Sequence, residues 1–223
     1  DLLFVPNGLD KQNEKRTRVT ISCYDKYQKI KCEYTFQDTV FSEREKLLPL
    51  YDAYLIDTTT IENKKVLLCY ANNATSFSSA IFVLDLITGH RIMETQWNSG
   101  YTWDAKIVDF EGDGEKEIIA IGADNGYKDG TIWAVRLKNL RGFRPTTPAY
   151  VIKNIPVTEL IFYIRIPKTD YDSLNGSKVN GFLQGGLSYY EEEKEFRFTS
   201  ISSMDNTQKV SFPSINYEFN LEH

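Results

Sequence analysis

One stretch of the chain repeats itself, and that repetition limits the fold more than any other feature. Asp52-Ala53-Tyr54-Leu55-Ile56-Asp57 is echoed 52 residues later by Asp104-Ala105-Lys106-Ile107-Val108-Asp109. The same offset sets Lys64, Val66 and Leu67 on Lys116, Ile118 and Ile119, and Ala71 and Asn73 on Ala123 and Asn125. One residue is then lost in the loop, and Ile81-Phe82-Val83-Leu84-Asp85-Leu86 falls on Ile132-Trp133-Ala134-Val135-Arg136-Leu137. The apolar runs are short and separated by turn signals such as Asn72-Asn73, Thr88-Gly89, Asn125-Gly126 and Asp129-Gly130. Gly and Asn accept the positive φ of tight turns, so these runs read as strands.

The first full unit then holds strands near 52–57, 65–71, 80–86 and 90–96, and the second near 104–109, 117–123, 131–137 and 148–153. Four strands in about 50 residues is the size of a propeller blade. On the flanks, 2–6, 18–24 and 30–36 read as the later strands of an earlier blade. A fourth blade is assigned to 161–166, 179–184, 196–202 and 209–219. The segment 41–50, with Glu43-Arg44-Glu45-Lys46, reads as the one helical turn, linking two blades. Glu191-Glu192-Glu193-Lys194 reads as a charged hairpin tip, and Asp170-Tyr171-Asp172 with Asn175-Gly176 as a turn. The expected fold is therefore all-β: a β-propeller, or part of one, of about four four-stranded blade-like repeats. Residues 1–220 form one repeat domain in this reading, with units near 1–40, 50–97, 102–153 and 157–219.

Composition agrees with strands, since 13% of residues are aromatic and aromatics suit pleated surfaces. A net charge of −5 and the lack of a basic stripe argue against a nucleic-acid partner. The run Lys11–Arg18 is interrupted by Glu14 and reads as a solvated loop. No apolar stretch reaches the length of a membrane span. No secretory leader pattern is visible at the start, and Leu221-Glu222-His223 reads as the beginning of a vector-encoded histidine tag. Cys23, Cys32 and Cys69 include no Cys-x-x-Cys pair, and His90 is the one histidine outside that tag, so a Cys/His zinc site is not expected. Cys23 and Cys32 suit opposite positions on a hairpin, either as a disulfide or as two small buried thiols.

The most informative local motif is Asp109-Phe110-Glu111-Gly112-Asp113-Gly114-Glu115-Lys116-Glu117. Oxygen donors alternate at Asp109, Glu111 and Asp113, the glycines allow a sharp turn, and Glu117 opens the next strand. Ca²⁺ takes six to eight oxygen ligands, and a divalent ion relieves the repulsion among such crowded acids. The loop is not an EF-hand, because its twelfth position is Ala120. In the sister unit Asp57-Thr58-Thr59-Thr60-Ile61 lacks the acids, and Lys65 stands where Glu117 does. The alternative is a solvent-exposed turn using Asp and Gly for geometry alone.

These residues resemble the aspartate-rich calcium loop of FG-GAP/VCBS-type repeats, as in integrin-like β-propellers. Asp109, Glu111, Asp113 and Glu117 match the acidic positions of that loop, with Glu at two where the family usually has Asp. The Phe-Gly and Gly-Ala-Pro signatures of the family are absent. Residues 81–89 also resemble the outer strand and turn of quinoprotein-like propeller repeats. The resemblance is clear over residues 50–140. It implies a calcium-stabilised propeller of an extracellular, cell-surface or periplasmic protein, used for binding a protein or a carbohydrate.

Histidine-dependent catalysis has only His90 to draw on, and this residue sits in a turn. The expected function is a non-catalytic binding or scaffold propeller. Trp97, Tyr101, Trp103 and Tyr127 lie beside turns and are candidate partner contacts, or else packing residues between blades. The alternative is a carboxylate-based hydrolase or lyase acting on a glycan, which needs only two well-placed acids.

Overall fold

The computed structural model describes residues 3–10, 15–166, 186–201 and 214–220. Chain order runs β1 (Leu3–Asp10), β2 (Lys15–Tyr24), β3 (Ile30–Thr35), β4 (Val40–Phe41), β5 (Lys46–Leu47), β6 (Tyr51–Ile61), β7 (Lys64–Asn73), β8 (Ser79–Asp85) and β9 (Gln96–Asn98). It continues with β10 (Thr102–Val108), β11 (Glu117–Asp124), β12 (Asp129–Arg136), β13 (Gly142–Phe143), β14 (Phe162–Ile166), β15 (Ser188–Tyr190), β16 (Glu195–Ile201) and β17 (Ser214–Asn220). Two single 3-10 turns are the only helical elements among the described residues, so the chain is all-β. No described helix is long and apolar enough to cross a membrane. The strand expected at 179–184, the turn at 170–176 and the last three residues lie outside the described residues.

Two compact units emerge: Asp1–Tyr101 with Leu140–Thr158, and Thr102–Asn139 with Glu159–His223. In the first, β1-β2-β3 make an antiparallel sheet and β6 to β9 a meander, extended by β13 to the order β13-β9-β8-β7-β6. In the second, β10-β11-β12-β14 make a four-stranded antiparallel sheet and β15-β16-β17 a three-stranded one. None of these sheets closes on itself.

The repeat is real in the backbone. Both meanders turn between their second and third strands on the same device. Asn73 Oδ1 accepts the amides of Thr75 and Ser76, each at 2.9 Å. Asp124 Oδ1 accepts those of Gly126 and Tyr127 at 2.8 and 2.9 Å. Asn73 therefore corresponds to Asp124, not to Asn125, and the one-residue loss falls before this turn.

The fourth strands differ from expectation. In the segment 90–96 Arg91 makes an isolated bridge to Leu84, and the strand proper is Gln96–Asn98. No strand forms over 148–153; Pro148–Tyr150 is a 3-10 turn, and Ile152 makes a lone bridge to Ser42. Pro145, Pro148 and Pro156 lack the amide a ladder needs. Phe162–Ile166 takes the fourth place beside β12 instead. Nor is 41–50 helical. Ser42 Oγ accepts the amides of Arg44 and Glu45 at 3.1 Å each, which folds β4 onto β5 as a small hairpin and buries Leu47. Of the basic run, Lys15–Arg18 open β2, and Lys11–Glu14 lie outside the described residues.

Among the described residues, each unit contains an aromatic-rich core cluster. In the first, Phe36 stacks on Phe82 at 4.7 Å and meets Tyr51 edge-on at 4.8 Å and Trp97 at 6.0 Å. Val19 and Ile21 from β2 and Leu67 and Cys69 from β7 belong to the same cluster. In the second, Phe196 stacks on Tyr189 at 4.6 Å and meets Phe110 edge-on at 6.2 Å, over Ile119, Ile121 and Ile132. Phe36 is fully buried among these rings, and truncating a fully buried aromatic removes apolar area and leaves a cavity. Phe36→Ala is expected to lower stability by about 3–5 kcal/mol, read as a fall in the urea midpoint.

Candidate functional site

The acidic loop replaces a tight hairpin. In the first unit β6 runs on to Ile61, and Glu62 and Asn63, both at positive φ, turn it directly into β7. In the second, β10 ends at Val108 and the chain takes residues 109–116 to reach β11. Asp109 organises that loop: Oδ1 accepts the amide of Gly112 at 2.8 Å and Oδ2 that of Gly114 at 3.0 Å. Asp113 Oδ1 accepts the amide of Glu115 at 2.9 Å. Gly112 and Gly114 have φ of 72° and 85°, and nothing lies within 4 Å of where a Cβ would stand. Conformation, not space, calls for glycine there.

Glu117 is unlike its neighbours. Its side chain is fully buried at the first position of β11. Oε2 accepts the amide of Phe110 at 3.1 Å, while Oε1 is buried with no hydrogen-bond partner. Phe110 is itself seated in the core of the second unit, which fixes that amide. Burial, and then the charges of Glu111, Asp113 and Asp109, push the Glu117 carboxyl above its ordinary range, against the Phe110 amide.

Sequence reasoning missed the cations. Arg136 lies directly opposite Glu117 across β11 and β12. Its guanidinium pairs with Glu111, with Glu115 at 3.5 Å and with Asp113 at 3.9 Å. Lys138 also pairs with Glu115. Tyr189 lies within electrostatic reach of Asp109 and Glu117, and its phenol is pushed up by burial and then by Glu191 and these acids. Only the cross-strand register could have pointed to Arg136. Among the described residues no three acids, cysteines or histidines converge into a ready-made metal cage. The loop amides hold Asp109 and Asp113, and Arg136 pairs with Glu111.

The aromatic candidates are spread out. Trp97, 2% exposed, packs in the core of the first unit against Phe36 and Tyr51. It also lines an open cleft of about 480 Å³ with Asp38, Arg91, Glu94, Thr95 and Asn154. There Arg91 pairs with Asp38 and donates to Thr95 Oγ1 at 2.7 Å. Tyr101, Trp103 and Tyr127 are half-buried. The Arg165 guanidinium covers the Tyr127 ring at 4.3 Å. Trp97 and Tyr101 belong to the first unit, Trp103 and Tyr127 to the second. The side chain of His90 is exposed.

No protein-family model matches the chain, and neither does any curated protein or solved structure.

The raised Glu117 pKa has a pH consequence. A carboxyl whose pKa is higher folded than unfolded favours folding only while protonated. That contribution is complete below the ordinary value of 4.5 and is lost as pH rises through the folded value. In chelator at neutral pH, Glu117→Gln is expected to be more stable than the parent chain by about 1 kcal/mol. The gap should close on acidification below the ordinary carboxylate range; denaturant melts of the two proteins across pH check both points.

Proposed function

We propose that the chain is a non-catalytic binding or scaffold element, built as all or part of a calcium-stabilised β-propeller that recognises a protein or carbohydrate partner. The observation that carries this reading is the buried Glu117 carboxylate, whose Oε1 has no partner at the base of an acidic loop. A buried ionised oxygen without a partner is costly, and a hard cation supplies what it lacks. Asp109, Glu111, Asp113 and Glu117 would hold the ion, and Ca²⁺ would supply charge neutralisation and tie the loop to the start of β11. The two meanders of blade size support the propeller reading, as does the sequence resemblance. Calcium sites of modest affinity suit an extracellular, cell-surface or periplasmic setting, where the ion is abundant.

A thermal melt of chelator-treated protein with and without Ca²⁺ tests the reading. A ligand that binds only the folded state stabilises by about 2.7 kcal/mol at one hundred times its Kd. The melting temperature of the parent chain should rise with calcium, and those of Asp113→Ala and Glu117→Gln should not. A parent chain that calcium leaves unmoved would reduce the loop to a turn and remove the basis for the proposal. Arg136 competes with the ion for Glu111 and Asp113. Arg136→Gln is therefore expected to bind Ca²⁺ about tenfold more tightly by calorimetric titration, a difference of ~1.4 kcal/mol.

A further inference from the structure

Cys23 and Cys32 stand directly opposite each other on β2 and β3, in antiparallel register. The register breaks immediately afterwards, between Cys23 and Tyr24. Opposite residues of an antiparallel pair hold their Cβ atoms about 4.5–5.5 Å apart, and closer at non-hydrogen-bonded positions. A disulfide needs roughly 3.5–4.5 Å, so little backbone adjustment separates the two arrangements. The sulfurs already lie close enough to share a hydrogen bond, and both residues are thiols in this structure.

A neighbouring turn packs beside the pair. Asp85 Oδ1 accepts the amides of Ile87 and Thr88 at 2.7 and 2.8 Å, which brings Gly89 round against β3. A Cβ on Gly89 would fall 2.8 Å from Cys32 Cβ and 3.2 Å from its Sγ. Only glycine leaves room there, so the backbone of this turn packs close beside the Cys32 side chain. Cys32 is half-buried, and Cys23 opposite it is buried. Cys69 lies apart, fully buried on β7 opposite Phe82.

We propose that Cys23 and Cys32 are a covalent modification site, closed into a cross-strand disulfide by a small-molecule or protein disulfide oxidant. The Cys32 thiolate attacks one sulfur of the oxidant and expels the other as a thiolate, giving a mixed disulfide. The Cys23 thiolate then attacks the Cys32 sulfur and expels the remaining half. Two protein thiols are oxidised, two protons are released from them, and the oxidant's disulfide is reduced to two thiols. The Cys32 thiol is pushed up to about 11 by its burial, then by Cys23, Asp85 and Glu33, so thiolate is scarce at neutral pH. Exchange in the folded chain is therefore slow and quickens in alkaline buffer.

The test is incubation of the folded chain with oxidised glutathione at mildly alkaline pH, followed by intact mass and peptide mapping. The expected product has lost two hydrogens, carries a Cys23–Cys32 linked peptide and retains a Cys69 thiol that alkylates only after denaturation. Its melting temperature should rise, and dithiothreitol should reverse the rise. Cys32→Ser should show neither change. A stable glutathione adduct on Cys32 without an internal bond would overturn the proposal. So would Cys23 and Cys32 that remain alkylatable after the oxidant has been shown to form a disulfide in an unstructured dithiol peptide alongside.

Discussion

Small antiparallel sheets cannot hide their apolar faces alone, and everything described here rests on how those faces are covered. In the first unit the cover is aromatic: Phe36 lies on Phe82 and against Tyr51 and Trp97. In the second it is Phe196 with Tyr189 and Phe110 over the isoleucines of β11 and β12. The acidic loop inherits its geometry from that second core. Phe110 is anchored there, its amide meets Glu117, and Glu117 is drawn out of water as a result.

Strands with strong alternation or unbroken apolar runs were legible from the residues alone. Ile81–Leu84 and Ile118–Ile121 could hardly be anything else, and both lie within buried strands. The places of the fourth strands were not legible: Gln96–Asn98 is short and polar, and Phe162–Ile166, readable as a strand, pairs with β12 only after a long detour. Glu43-Arg44-Glu45-Lys46 has helical composition, but one hydroxyl, that of Ser42, captures two amides and turns the chain back. The acids of the loop were visible as a motif, whereas the burial of Glu117 was not. A carboxylate at the start of a strand carries no mark of its depth. Arg136 was hidden for another reason: it reaches the loop through pairing across the sheet, 19 positions away in sequence from Glu117.

The loop is a balance of charges rather than a simple concentration of them. Arg136 and Lys138 offset Glu111, Asp113 and Glu115 at the surface, where such pairs contribute little. Beneath them Glu117 keeps one oxygen without a hydrogen bond. The exposed acids and the buried one therefore differ in kind. Those outside can exchange one cation for another at small cost, and the one inside has a larger effect on the energy of the fold.

The detour between β12 and β14 matters beyond its local shape. Residues 140–158 belong to the first unit, and β13 within them pairs in parallel with β9. The chain thus leaves the first unit, builds three strands of the second, returns to add an edge strand, and leaves again. Neither unit is a continuous gene segment, so no single cut yields two complete halves. During synthesis the first unit stays one strand short until residue 143 has emerged, by which time β10, β11 and β12 are already out. The two units are consequently tied in the order of their assembly, with the earlier one finished by residues made later.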